Sequence, residues 1–206
     1  MQLLDLLSTH RLLAIVRGTD TEAALDCVLA LVDEGLTLVE VSLTTPGALS
    51  IIERARAALG EAATLGAGTI VTVADARSAA DAGATFLVTP GASPESTAIK
   101  EAGLPVIEGA LTPTEILAAT EGGAAAVKVF PAALGGPGYI KALRDPLPRV
   151  GMVAVGGVDV DNAAAFLAAG AVAVGPGSSL MGDAPHGGDL DALRRRASAF
   201  RAAVAP

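Results

Sequence analysis

The chain has 206 residues, 51% of them hydrophobic and 17% charged, enough apolar content for a buried core and too much for a disordered or low-complexity polymer. Fourteen Lys and Arg against 22 Asp and Glu leave a formal charge of −8, and aromatics are 2% with no Trp, which argues against the basic footprint and the stacking platform of a nucleic-acid binder. A single cysteine, Cys27, excludes an internal disulfide framework and a cysteine-rich metal site.

Short β-type runs alternate with helical patterns along the whole chain. The first strand is predicted over 12–17 with its helix over 21–34, the second pair at 38–43 and 47–59, and the third at 64–68 and 73–82. The fourth pair lies at 85–89 and 94–102, and the fifth at 105–108 and 113–121. The sixth follows at 125–130 and 138–144, the seventh at 151–155 and 160–169, and the eighth strand at 171–175, with a last helix over 190–203. The strand runs are almost continuously apolar, as parallel strands covered on both faces are. Gly35, Gly83, Gly103 and Gly170 follow helices directly and suit left-handed caps. Eight units of about 26 residues each predict an α/β fold, a single-domain (β/α)8 TIM barrel over 1–206. An open doubly wound sheet is the weaker reading, because the first turn, Val16-Arg17-Gly18-Thr19-Asp20, lacks a G-x-G-x-x-G fingerprint. The uncharged stretch between Asp161 and Asp183 is broken by Asn162, Gly170, Pro176 and Ser178, so it reads as helix, strand and loop rather than a membrane span. Asp5 interrupts the N-terminal Leu cluster and no cleavage-site pattern follows, so a cytoplasmic protein without a signal peptide is expected.

In such a barrel, function collects where strands end and loops begin. The polar residues predicted there are Arg17, Glu40, Ser42, Thr44, Thr69, Thr89, Lys128, Gly156-Gly157 and Gly177-Ser178. Lys128 is one of only three lysines and sits in Ala-Ala-Val-Lys-Val-Phe-Pro, inside an apolar strand. A lysine there is costly unless paired, and its uncharged amine is the nucleophile that attack on a carbonyl requires. Glu40, in Leu-Val-Glu-Val-Ser-Leu on the second strand, is placed to share a layer with the sixth. Two readings stay open for the pair: an amine with its proton shuttle, or a structural salt bridge. Gly156-Gly157 after the seventh strand and Gly175-Pro176-Gly177-Ser178-Ser179 after the eighth occupy the places where these barrels commonly bind phosphate. His10 and His186 have no carboxylate or cysteine at ligand spacing, so no metal site is expected, and Cys27 reads as core.

The ordered set Val39-Glu40-Val41, Gly66-Ala67-Gly68-Thr69, Val88-Thr89-Pro90-Gly91, Thr112-Pro113-Thr114-Glu115, Lys128-Val129-Phe130-Pro131-Ala132, Gly156-Gly157-Val158 and Gly177-Ser178 resembles the 2-keto-3-deoxy-6-phosphogluconate (KDPG) and 4-hydroxy-2-oxoglutarate aldolases, from about residue 12 to residue 182. The resemblance implies a metal-free class I aldolase, without cofactor and commonly a homotrimer. Lys128 then corresponds to the Schiff-base lysine and Glu40 to the general acid/base. Thr69, Pro90 and Phe130 match the pyruvyl pocket, Arg17 a basic residue beside it, and Gly156, Gly157, Gly177 and Ser178 the phosphate site. Thr44 stands where gluconate-type members usually carry Arg, and Val155 where they carry Thr, so the resemblance leans to the phosphogalactonate type or to relaxed C4 specificity. Glu108 replaces a usual Pro and is expected to alter the fifth loop. The implied reaction is retro-aldol cleavage to pyruvate and glyceraldehyde 3-phosphate, with glyoxylate as the second product from the shorter substrate. A phosphosugar isomerase or epimerase on the same barrel, and a non-catalytic binder of phosphorylated ligands, are the rivals.

Overall fold

The apolar runs pair side by side in the order in which they occur in the chain. The computed structural model describes residues 2–205. Its elements are α1 (Leu3–His10), β1 (Ala14–Val16), α2 (Thr21–Asp33), β2 (Leu38–Ser42), α3 (Ala48–Leu59), β3 (Thr64–Gly68), α4 (Val73–Asp81), β4 (Phe86–Val88) and α5 (Ser96–Glu101). There follow β5 (Val106–Ala110), α6 (Pro113–Glu121), β6 (Ala126–Val129), α7 (Gly136–Arg144), β7 (Met152–Val155), α8 (Ala163–Ala168), β8 (Ala173–Gly175), α9 (Ser178–Met181) and α10 (Leu190–Ala203). Strands β1 to β8 form one parallel sheet in chain order. A parallel bridge between Leu12 and Val174 closes the ring, with the Leu13 N–H donating to the Val174 carbonyl at 2.9 Å and the Val174 N–H to the Arg11 carbonyl at 3.0 Å. The (β/α)8 barrel expected from the sequence is the fold. Among the described residues no helix is long and apolar enough to cross a membrane.

Side chains alternate between the two faces of a strand, and the two faces build two separate cores. Leu13, Leu38, Phe86, Val88, Ile107, Ala126, Val153, Val155 and Ala173 point inward and fill the barrel, joined by Leu3 and Leu7 of α1. Their neighbours Val39, Val41, Leu65, Ala67, Leu87, Val127, Val129, Ala154 and Val174 point outward and pack under the helices. Helix α1 covers the end at which the strands begin, where its Leu4 lies against Gly151 at the start of β7. The same alternation decides the polar positions: with Leu38 inward, Glu40 and Ser42 are inward too, and with Ala126 inward, so is Lys128. Register aligns Glu40 with Gly66 and Gly66 with Phe86. A β-carbon at Gly66 would run into the Phe86 ring, so the bare glycine is what admits that ring to the interior.

Local chemistry sets the helix ends. Thr72 with Asp75, and Thr112 with Glu115, form reciprocal capping boxes at the starts of α4 and α6, while Asp20 and Asp189 cap α2 and α10. The two backbone N–H groups of Leu111 and Thr112 that the Glu115 carboxylate accepts hold its pKa below the ordinary range. The predicted helix-closing glycines Gly35, Gly83, Gly103 and Gly170 all have positive φ, from 84° to 104°.

Several boundaries differ from expectation. Helix α1 and the short α9, with a 3-10 turn at Ala184–His186, lie in stretches for which no element is predicted. Helix α8 begins at Ala163 rather than 160, because the Asp159 side chain takes the Asp161 and Asn162 N–H groups into a turn. Strand β5 continues to Ala110 rather than ending at 108, so Glu108 lies mid-strand and not at the loop. Glu108 pairs with Lys100 of α5 at 2.7 Å on the helix side of the sheet, both side chains nearly buried. The unusual residue is therefore absorbed by an ion pair outside the barrel interior rather than by the loop.

Gly66→Ala should lower the unfolding free energy by about 1–3 kcal/mol through overpacking. Adding Phe86→Leu to that variant should recover part of the loss, read as non-additivity in a urea-denaturation double-mutant cycle.

Candidate active site

The inward-facing polar residues meet a cavity of about 820 Å³ at the end of the barrel where the strands finish. Glu40, from β2, and Lys128, from β6, line its floor, and both are buried, at 1% and 8% exposure. Gly68 on β3 makes room for the carboxyl: a β-carbon there would collide with Glu40 Oε1. Glu40 Oε2 has no hydrogen-bond partner. Burial pushes the Glu40 pKa up, and the opposing attraction of Lys128 and of Arg17 does not bring it back to the ordinary range.

Lys128 makes no salt bridge among the described residues. Its Nζ stands 5.2 Å from the centroid of the Phe130 ring. The structural salt bridge left open by the sequence is thus not formed: the two groups share one cavity and a Coulombic interaction without touching. A buried amine beside a protonatable carboxyl, open to one cavity, is equipped to form an imine with a ketone and to move the protons that its formation requires.

A hydroxyl cluster lines one wall. Ser42 Oγ lies 2.8 Å from Thr44 Oγ1 and 2.9 Å from Thr69 Oγ1. Thr69 sits just past β3 with φ of 61°, a left-handed conformation that costs a β-branched residue about 1–3 kcal/mol. Pro90, Phe130 and Val155 supply the apolar lining, and Arg17 stands exposed at the rim. The Phe130–Pro131 peptide is cis.

The far end of the cavity is made of backbone. Gly156 and Gly157 both have positive φ, 89° and 77°, and β-carbons there would meet Phe130 with Pro131, and Ala133, respectively. Among the described residues the N–H groups of Gly156, Gly157 and Gly177 donate to no protein acceptor. They lie with exposed Ser178 on the cavity wall, an arrangement of free donors suited to an anion.

All the sequence-predicted site residues line this cavity except Thr89, which is buried and accepts the Gly109 N–H at 3.1 Å. Thr89 is a strut between β4 and β5. Cys27 is buried in the outer core, its thiol pushed up to about 12 chiefly by burial, and is no nucleophile. Sequence reasoning missed Thr19, Asp159, Gly182 and His186, which also line the cavity. For Thr19, Asp159 and Gly182 the signal was positional, each lying within seven residues of a strand end, whereas His186 is brought to the cavity by the later loop. Among the described residues no three His, Cys, Asp or Glu side chains come together to hold a metal ion.

A closed parallel barrel with an unpaired amine and a raised carboxyl inside its C-terminal mouth defines the class of (β/α)8 enzymes that work at that face. The aldolase profile described as KDPG and KHG aldolase matches residues 4–195. A probable 2-dehydro-3-deoxy-6-phosphogalactonate aldolase of Rhizobium meliloti (strain 1021) is 38% identical over 93% of this chain and 90% of its own length. A solved native KDPGal structure superposes with a TM-score of 0.86 at 36% identity, covering 93% of each chain. KDPG aldolase from Legionella pneumophila, solved with pyruvate captured at low pH as a covalent carbinolamine intermediate, superposes with a TM-score of 0.83 at 25% identity over 99% of this chain and 97% of that one. The chain belongs to the KDPG and KHG aldolase family.

The raised Glu40 carboxyl has a consequence for stability. An unfolded chain releases this proton near the ordinary glutamate value, about 4.3, and the native chain only at higher pH, so native stability falls as pH climbs through that interval. Glu40→Gln removes the decline. The melting temperature of the variant relative to wild type, measured by thermal unfolding, should therefore rise between pH 4 and pH 7.

Proposed function

We propose that this chain is a class I aldolase cleaving 2-keto-3-deoxy-6-phosphogalactonate, or its gluconate epimer, to pyruvate and glyceraldehyde 3-phosphate, with 4-hydroxy-2-oxoglutarate as a second substrate giving pyruvate and glyoxylate. The observation that carries the reading is Lys128: a buried amine that makes no ion pair among the described residues, sharing a cavity with a carboxyl whose pKa burial pushes up.

The neutral Lys128 amine attacks the C2 ketone to give a carbinolamine. Protonated Glu40 donates to its hydroxyl, which leaves as water, and the resulting iminium is the electron sink. The Glu40 carboxylate, through a water where direct reach is lacking, then takes the C4 hydroxyl proton. The C3–C4 bonding pair flows into the iminium, leaving an enamine on Lys128 and an aldehyde at the former C4. Glu40 returns the proton to C3, and water hydrolyses the imine to pyruvate and free lysine. Thr69 and Arg17 orient the carboxylate, Pro90 and Phe130 enclose the pyruvyl methylene, and Gly156, Gly157, Gly177 and Ser178 hold the phosphate, which adds orientation at the far end. The apolar Val155 and the short Thr44 leave the C4 region without a cationic reader, and together with the named Rhizobium relative they favour the galactonate epimer. The proposal includes action as one barrel unit over residues 1–206, in the cytoplasm, as a homotrimer, with no metal or cofactor.

Borohydride added with pyruvate should inactivate the protein and leave the mass of a reduced pyruvyl group on Lys128, with Lys128→Ala unlabelled. An isomerase or epimerase would stay unmodified, and a non-catalytic binder would release no pyruvate in any form. In a lactate-dehydrogenase-coupled assay, the galactonate epimer should be cleaved with the higher kcat/KM. Val155→Thr should shift the ratio toward the gluconate epimer by about tenfold, the scale of one added hydrogen bond.

A further inference from the structure

The phosphate end of the cavity has backbone donors and one hydroxyl but, among the residues assigned so far, no cationic side chain. Asp159 lines the same cavity, and the chain as a whole carries a formal charge of −8. A phosphate dianion drawn into such a field calls for a charge-assisted donor. With Lys128 assigned to the ketone and Arg17 to the carboxylate, His186 is the remaining side chain on the cavity wall that can supply it.

His186 ends the 3-10 turn Ala184–His186, in the connection between α9 and α10. The turn is seated firmly. Ala184 and Pro185 are buried, and the Thr19 and Asp20 N–H groups after β1 both donate to the Pro185 carbonyl, at 3.2 and 3.3 Å. A β-carbon on Gly18 would strike that carbonyl, so the two loops meet backbone to backbone. The imidazole is oriented in turn: its Nδ1 lies 2.9 Å from Thr19 Oγ1. Nε2 has no partner among the described residues. When the Thr19 hydroxyl donates to Nδ1, the proton of the neutral ring sits on Nε2; when the ring is cationic, both nitrogens carry protons. In these two states Nε2 is a hydrogen-bond donor, and a phosphate oxygen selects them over the tautomer in which Nδ1–H donates to Thr19 and Nε2 only accepts.

We infer that His186 is a phosphate ligand of this site, donating from Nε2 to a phosphate oxygen of the substrate, with Thr19 as the positioning residue that fixes the ring. The inference rests on the phosphate reading above and extends it to a side chain from the β8–β1 side of the mouth. The anion is then held from three neighbouring loops: Gly156 and Gly157 after β7, Gly177 and Ser178 after β8, and His186 where the later connection folds against β1.

The competing role is a loop pin, in which Nδ1 alone matters. Two isosteres separate the roles: Asn keeps a polar atom near Nδ1, and Gln keeps an amide N–H near Nε2. KM is to be measured for the phosphorylated 2-keto-3-deoxy sugar acid and for unphosphorylated 4-hydroxy-2-oxoglutarate, with inorganic phosphate as a competitive probe, in wild type, His186→Asn, His186→Gln and Ser178→Ala. The expected result for His186→Asn is a rise of about tenfold in KM for the phosphorylated substrate relative to the other, and inhibition by inorganic phosphate weakened in proportion. His186→Gln should recover part of both. Equal rises for the two substrates, or rescue by Asn rather than Gln, would make His186 a loop pin and overturn the inference. If Ser178→Ala shifts the substrate ratio and His186→Asn does not, the phosphate site stands without His186. If inorganic phosphate fails to inhibit wild type and neither variant moves the ratio, the phosphate reading itself falls.

Discussion

An amine and a carboxyl held inside a hydrocarbon-lined barrel, with neither given a salt-bridge partner, is the constraint on which the rest of the structure turns. Desolvation makes both charged forms expensive there. A direct ion pair would relieve that cost and also occupy the lysine. Instead Glu40 carries a raised pKa and an unsatisfied oxygen, and Lys128 faces the Phe130 ring and the open cavity. What the fold forgoes in stability at these two positions it retains as reactivity.

The surroundings are shaped to keep that state. Gly68 exists where any larger residue would displace the Glu40 carboxyl, and Gly66 admits the Phe86 ring that fills the interior beneath. Thr69 holds an unfavourable backbone conformation while its hydroxyl joins Ser42. Strain of this kind survives only where the neighbours over-determine it, and here β3, the Ser42 bond and the Ile70 N–H bond to the Val88 carbonyl do so. The tolerance for such features comes from the two separate cores: the outer one, between sheet and helices, stabilises the barrel without any polar inward residue having to take part.

Much of this was legible in the sequence because alternation along a strand is a strong rule. In Leu-Val-Glu-Val-Ser-Leu the parity that turns Leu38 inward turns Glu40 and Ser42 inward as well, and the same holds for Ala126 and Lys128. Strand-end position then picked out most of the cavity lining. It failed at Thr89, where a strand-end hydroxyl serves a backbone N–H of the next strand. It also carried no information on Thr112 and Glu115, which travel with the family motif yet act as a helix cap. His186 was out of reach for a different reason. Its place is set by the contact of Pro185 with Gly18, a pairing of residues 167 positions apart that no local pattern records. Helix α1 was missed because eight residues with a Leu cluster give too short a period to separate helix from coil.

Helix α1 also bears on traffic. With Leu3 and Leu7 packed into the interior from the end where the strands begin, the barrel is a blind well rather than a tube. Whatever reaches the lysine descends through the single rim and must climb out by the same way. On the proposed reaction, the fragment tethered to Lys128 at the floor lies behind the one nearer the lip, so the order of departure is imposed by a plug that touches neither.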